Sequence, residues 1–224
     1  MFFTKNGPRF TLRFQSRAQA GQLLAQDLKK IENLNNVLIC AIPRGGVVVG
    51  AAIAKELAAP LTVLLVKKIG VPGNPELAIG AVAAWGRPFW DKNLISTLAI
   101  SKEFLKDEVK KSREEVKRRE IEYGVKKPKF SGQTLILTDD GIATGATITL
   151  AAKLIRNLSP KKLILAVPVA SVSTLQKLKK YFDEIVAILT PADFRAVGQF
   201  YHNFPQVTDE EVKEILKSKN QNAK

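Results

Sequence analysis

Five short apolar runs constrain this chain more than any other feature: 37–42 (VLICAI), 61–66 (LTVLLV), 134–138 (TLILT), 163–168 (LILAVP) and 185–189 (IVAIL). Each has the length of a strand and is rich in Val, Ile and Leu. Their hydrophobicity is continuous rather than alternating, which demands burial on both faces. Helical patterns separate most of them, so the expected assembly is an α/β domain of the doubly wound kind: a parallel sheet of about five strands covered by helices on both faces. The helices are expected at 16–34, 46–59, 101–123, 145–158, 172–182 and 208–218. Ser16 with Gln19, Ser173 with Gln176 and Thr208 with Glu211 have capping-box spacing, and Pro160 is a stop signal after the fourth helix.

At 224 residues and 46% hydrophobic content the chain can build one sizeable core, which excludes disorder and a small stapled scaffold. A single domain over 1–224 is expected, with an N-terminal arm over about 1–13 and a frayed Lys-rich tail over about 219–224. The single cysteine, Cys40, forbids an internal disulfide and reads as a buried small hydrophobe in the first apolar run. With His202 the sole histidine, no Cys/His set for structural zinc or haem exists. A reducing, cytoplasmic setting follows as the expectation. No run reaches the roughly 18 apolar residues of a membrane span, and the first residues lack a signal-peptide stretch. Lys5, Arg9, Arg13 and Arg17 precede the first acid, Asp27, as in a transit peptide, but the capping box at Ser16 favours an ordinary helix there.

The formal charge of +14 predicts attraction to phosphates, whether on nucleic acid, lipid or metabolites, and does not choose among them. In the most highly charged stretch, 101–129, charges of both signs interleave around an apolar stripe of Leu105, Val109 and Val116, the pattern of a solvated helix lying on the sheet.

Chemistry is concentrated in residues 135–155, LILTDDGIATGATITLAAKLI: an apolar strand, two carboxylates, a turn rich in Gly and Thr, then a helix. A helix start offers unpaired N–H groups and a positive dipole end, so Gly141, Gly145 and their neighbours can wrap a phosphate, with the Thr144 and Thr147 hydroxyls as further donors. Asp139 and Asp140, at the strand's C-terminal end, can accept hydrogen bonds from vicinal sugar hydroxyls. The bland alternative is a capped helix after a plain turn, but adjacent acids ending a buried strand are costly unless used. The chain has no G-x-x-x-x-G-K-[ST], no G-x-G-x-x-G and no G-x-S-x-G, which argues against ATPase, dehydrogenase and hydrolase readings and leaves a sugar phosphate as the ligand class.

The string from Leu135 to Thr147 resembles the 5-phosphoribosyl-1-pyrophosphate (PRPP) binding loop of the type I phosphoribosyltransferases. Further resemblance, to stand-alone members of that family, runs through FQSRAQAG at 14–21, IPRGGVVVG at 42–50, VKKIGVPGNPELAIGAVA at 66–83 and AVGQFYHNF at 196–204. It implies that Asp139 and Asp140 hold the ribose 2′ and 3′ hydroxyls. Gly141, Ile142, Ala143, Thr144, Gly145, Ala146 and Thr147 would then cradle the 5′-phosphate, and Arg44, Gly45 and Gly46 would form the pyrophosphate loop. Residues 67–83, with Gly70, Pro72, Gly73 and Pro75, are expected as a mobile covering loop or small hood that excludes water. Lys67 and Lys68 are candidates to neutralise pyrophosphate, and only one of them should point inward on a strand.

The resemblance further implies Mg²⁺-dependent displacement of pyrophosphate by a ring nitrogen of a base, with the metal bound through substrate phosphates rather than a protein cage. In the 6-oxopurine enzymes of the family the position before Thr144 is usually aspartate; here it is Ala143, which argues against hypoxanthine or guanine. Glu76 is a candidate acid for the base. Phe194, Phe200, Tyr201, His202 and Phe204 could stack a base but read more simply as core. A homo-oligomer is expected by analogy. The rival reading is a PRPP-sensing regulator that binds nucleic acid through its basic surface; no helix-turn-helix or RNA-binding motif accompanies the charge.

Overall fold

The computed structural model describes residues 2–3, 13–125 and 130–221, the side chains of 2, 3, 75, 76 and 219–221 excepted. The strands are β1 (Phe2–Phe3), β2 (Val37–Ala41), β3 (Leu61–Val63), β4 (Lys67–Val71), β5 (Asn74–Val82), β6 (Phe89–Trp90), β7 (Thr134–Thr138), β8 (Lys162–Val169) and β9 (Glu184–Leu189). The helices are α1 (Arg17–Leu28), α2 (Gly45–Glu56), α3 (Lys92–Thr97), α4 (Lys102–Glu122), α5 (Ala146–Arg156), α6 (Val172–Leu178) and α7 (Asp209–Gln221). None of the described helices is long and apolar enough to cross a membrane.

The five apolar runs become β2, β3, β7, β8 and β9 of one sheet, ordered β1-β9-β8-β7-β2-β3 and parallel throughout. Alternation within each strand explains their continuous hydrophobicity. Ile39, Ala41, Ile136, Ile164 and Ala166 share one core with Leu24 of α1, Ile53 of α2 and Leu216 of α7. Leu38, Cys40, Leu135, Leu137, Leu163 and Leu165 share the other with Ile148 and Ile155 of α5 and Leu175 of α6. Burying both faces removes the interior strand residues from water, at roughly 1.5–3 kcal/mol per large side chain. Cys40 is fully buried, and burial pushes its thiol up to about 12. The arm contributes β1, which pairs Phe2 with Ile185 and Phe3 with Val186 at the sheet edge. The rest of the arm before residue 13 and the tail beyond 221 lie outside the described residues.

Helix starts follow their caps. Gln19 N donates to Ser16 Oγ at 3.3 Å, although the Gln19 side chain accepts from Gln15 N (2.7 Å), one residue before the expected box partner. The Thr208–Glu211 box closes in both directions, at 2.7 and 3.1 Å. The third expected box is displaced: α6 is capped by Ser171, whose Oγ accepts from Thr174 N at 3.2 Å, not by Ser173 with Gln176.

The segment expected as a mobile covering loop is instead an antiparallel hairpin. β4 and β5 pair from Lys67↔Val82 to Val71↔Asn74 around a turn at Pro72 and Gly73, and β6 adds a third strand. This sheet has its own apolar cluster of Ile69, Ile79 and Val82, against which Leu94, Phe104, Leu105 and Val109 pack. The charged helix α4 joins the two bodies: Leu105 and Val109 lie on the small cluster and Val116 in the main core. Arg113 donates to Gly86 O at 2.8 Å, Lys67 pairs with Glu115, and Glu120 is buried beside Trp85.

Glu120 Oε1 is buried without a hydrogen-bond partner among the described residues, and burial raises its carboxyl to about 7, partly offset by the Trp85 indole and Lys117. Because the unfolded chain ionises first, the Glu120 contribution to stability falls as pH rises from the ordinary carboxylate range through about 7, then levels off. Glu120→Gln should remove this slope and stabilise the fold by about 2 kcal/mol at pH 8. Urea unfolding across this range measures it, and parallel pH profiles for the two proteins contradict it.

Candidate active site

β7 ends at Thr138 in the middle of the sheet, and the next two residues emerge at its C-terminal edge as Asp139 and Asp140. The turn that follows is pinned at two points. Ile142, buried, donates its N–H to Val169 O at 2.9 Å and bridges to Ala170, while Thr174 Oγ1 of α6 donates to Ala143 O at 2.9 Å. Thr174 is itself held by Ser171 Oγ at 2.9 Å. Gly145 then takes φ +77°, a left-handed conformation that favours glycine, and caps α5 without a side-chain hydrogen bond. At the first turn of α5 Ala146 N donates to Thr144 Oγ1 at 3.4 Å, and the remaining N–H groups of that turn open beside the exposed Ala143, Thr144, Ala146 and Thr147. Of the seven residues expected to cradle a phosphate, Ile142 serves as the anchor, since its amide and side chain both point into the protein.

A second helix start lies against the first. Arg44 caps α2 after a cis Pro43–Arg44 peptide, and Gly45 and Gly46 open the helix. The approach is close enough to exclude any side chain. A Cβ on Gly45 would sit 1.8 Å from Asp140 Oδ2 and 2.8 Å from Arg17 Nε, and one on Gly46 would sit 2.8 Å from Asp139 Cα. The glycines expected in the pyrophosphate loop thus serve first to let its backbone reach the acid pair.

Two groups whose roles here were not anticipated from the sequence complete the arrangement. Arg17, buried at the start of α1, donates from Nε to Asp140 Oδ2 and from an Nη to Pro205 O, both at 2.7 Å, and its guanidinium lies 3.7 Å from the Phe204 ring centroid. Tyr201 donates its hydroxyl to Asp140 O at 2.5 Å. Arg17, Arg44, Gly45 and the Phe204–Val207 segment line a cleft of about 330 Å³ beside the acids. The aromatic cluster is largely core: Phe200 and Tyr201 are buried, Phe14 packs on Tyr201 at 5.3 Å, and His202 is exposed. Phe204 departs from that pattern by also facing the cleft.

The remaining candidates are not gathered here. Lys67 is engaged by Glu115 of α4 rather than by the Arg44 turn, and Lys68 is exposed on the hairpin. The Glu76 side chain lies outside the described residues. Among the described residues no three His, Cys, Asp or Glu side chains gather to hold a metal ion.

Burial and the neighbouring Asp140 charge raise the Asp139 carboxyl well above the usual range, opposed by the Asp140 backbone N–H, which donates to Asp139 Oδ1 at 2.8 Å, and by Arg17. Holding this acid at the site therefore costs stability as pH rises above the ordinary carboxylate range. The packing yields a direct expectation: Gly45→Ala should destabilise the fold by about 1–3 kcal/mol through overpacking against Asp140. Urea unfolding measures it, and wild-type stability would show that the turn has room to spare.

Residues 14–205 match the model of the phosphoribosyl transferase domain. Two Mycobacterium tuberculosis proteins, each named "Putative phosphoribosyl transferase", are 38% identical over 205 residues, 91% of this chain and 46% of theirs, so the chain spans about half the length of these curated relatives. The crystal structure of TT1426 from Thermus thermophilus superposes with a TM-score of 0.83 at 38% identity, covering 92% of this chain and 99% of that one. The AQ2163 protein from Aquifex aeolicus shares the fold at a TM-score of 0.51 and 16% identity, over 84% and 86% of the two chains. With a strand-to-helix turn bearing paired acids, a glycine-opened helix beside it and a family match over most of its length, this chain belongs to the phosphoribosyl transferase family.

Proposed function

We propose that the protein transfers the 5-phosphoribosyl group of PRPP to a ring nitrogen of a nitrogenous base and releases pyrophosphate. The observation that carries this reading is the contact between the Asp139–Asp140 pair and the Gly45–Gly46 backbone, which sets two helix starts side by side at one sheet edge. A ligand with vicinal hydroxyls flanked by two phosphate-bearing ends matches that layout. The ribose hydroxyls donate to Asp139 and Asp140. The 5′-phosphate rests on the N–H groups that open α5 and on the Thr144 and Thr147 hydroxyls. Pyrophosphate lies along Gly45 and Gly46, with the Arg44 guanidinium as a bidentate partner.

The bond from C1 to pyrophosphate breaks with its electron pair leaving on the pyrophosphate oxygen, the lone pair of the base nitrogen forms the new C1–N bond, and the proton lost from the base passes to water. Positive charge gathers on the ribose ring in between. Two fixed carboxylates beside that ring stabilise it more than the neutral ground state, and Arg44 stabilises the departing anion. Mg²⁺ would be carried on the pyrophosphate oxygens of the substrate itself, as a hard cation that keeps most of its waters rather than sitting in a protein cage. When bound, Mg²⁺ would neutralise the leaving group. The cleft between Arg44 and the Phe204–Val207 segment offers space for an acceptor next to the acids.

The test is incubation with PRPP, Mg²⁺ and a panel of bases while pyrophosphate release is followed, with PRPP affinity measured by calorimetry. Release stimulated by one base is expected. Asp139→Asn and Asp140→Asn should each weaken PRPP binding by about 10- to 100-fold, the loss of a hydrogen bond to a charged group. Asp139→Asn should also melt no lower than the wild type, since it removes a carboxyl whose ionisation the fold opposes. Undiminished affinity in both variants, or no PRPP binding by the wild type, overturns the proposal.

A further inference from the structure

Arg17 spans the site. It lies 123 residues from Asp140 and 188 from Pro205 in sequence, yet one guanidinium bonds both and covers the Phe204 ring. Its side chain is 8% exposed and that of Asp140 16%, so their ion pair is shielded from water and salt. A buried arginine with a carboxylate on one side, a carbonyl on another and an aromatic face below it has a single available orientation. We propose that Arg17 is the positioning residue of the acid pair: it fixes Asp140 against the Gly45 backbone, supplies the counter-charge that lets two adjacent carboxylates share one sheet edge, and ties both to the Tyr201–Val207 segment that walls the cleft. The claim rests on the reading above that the pair is the ribose site, but its physical content is measurable without ligand.

The groups facing Asp139 define what Arg17 does. Asp140, on the same turn, and the Tyr201 hydroxyl offer negative or neutral oxygen, the α2 start lies so near that a Cβ on Gly46 would sit 3.0 Å from Asp139 Oδ1, and Arg17 from α1 offsets the Asp140 charge. Arg44 is the other cation lining the adjoining cleft. Coupling also runs through the main chain. Tyr201 holds Asp140 by its carbonyl while Arg17 holds the same residue by its carboxylate, so both ends of Asp140 are fixed to the C-terminal segment.

The experiment is a pH titration of the Asp139 carboxyl by ¹³C NMR in the ligand-free wild type, Arg17→Gln and Arg17→Lys. Arg17→Gln should raise the midpoint by about one pH unit, and Arg17→Lys should restore it to within a few tenths. A purely space-filling role would lower Tm in both variants and leave the midpoint in place; that result overturns the proposal. Arg17→Gln leaves a buried carboxylate unpaired and can fail to fold. The same comparison is therefore made between Asp140→Asn and the double variant Arg17→Gln/Asp140→Asn, in which neither charge remains; a higher midpoint in the double variant supports the role and equal midpoints overturn it. Calorimetry with PRPP on the same samples separates the two claims. A wild type that does not bind PRPP while the midpoints move as stated overturns the function proposed above and leaves the role of Arg17 intact.

Discussion

Two carboxylates on neighbouring residues repel each other and resist leaving water, and the site is built around that constraint. Asp139 and Asp140 are carried to the sheet edge by β7, whose strand residues are all buried, so the pair stands where the chain has least freedom to move away. Three devices make this tolerable. Arg17 provides an opposite charge at 2.7 Å, the Asp140 backbone N–H donates to Asp139, and side-chain-free glycines let the α2 start close over both. Removing the Arg17 charge or the Asp140 N–H bond leaves a charge or a polar atom unpaired, and adding a side chain at Gly45 or Gly46 drives it into the acids.

The same logic sets the role of the surrounding elements. The turn between β7 and α5 is fixed from α6 through Thr174 and from β8 through Val169, which set the start of α5 beside the acid pair. The hairpin sheet is a separate small body joined to the main core through α4, with Lys67, Arg113 and Glu120 as its polar attachments. Lys67 takes part in that attachment through its pair with Glu115.

Most of the fold was legible because burial on both faces writes itself as uninterrupted Val, Ile and Leu. The strand-acid pair-turn-helix unit from 135 to 155 was legible because its glycines, threonines and acids are contiguous. What was missed has physical causes. The hairpin read as a loop because Gly70 marks an irregular register and Pro72 and Gly73 form the turn, so two strands lie within a stretch dense in chain breakers. The start of α6 at 172 was expected, but its cap is Ser171 rather than Ser173, and Thr174, which that cap binds, donates to Ala143 O, a contact across 31 residues that no local pattern reveals. Arg17 gave no local signal: it was one of four basic residues before Asp27 whose spacing suggested at most a transit peptide or an ordinary helix start, and its partners lie more than a hundred residues away. FQSRAQAG was identifiable as part of the family resemblance, yet the purpose of its arginine could be seen only once Asp140 and Pro205 were in place.

The central claim is that this paired-acid turn is where a phosphorylated ribose binds. A crystal structure of the protein grown with PRPP and Mg²⁺ tests it most directly. The ribose hydroxyls are expected on the Asp139 and Asp140 carboxylates, the 5′-phosphate against the first turn of α5 and pyrophosphate along Gly45 and Gly46. A complex in which the sugar lies elsewhere while that turn holds only water would contradict it.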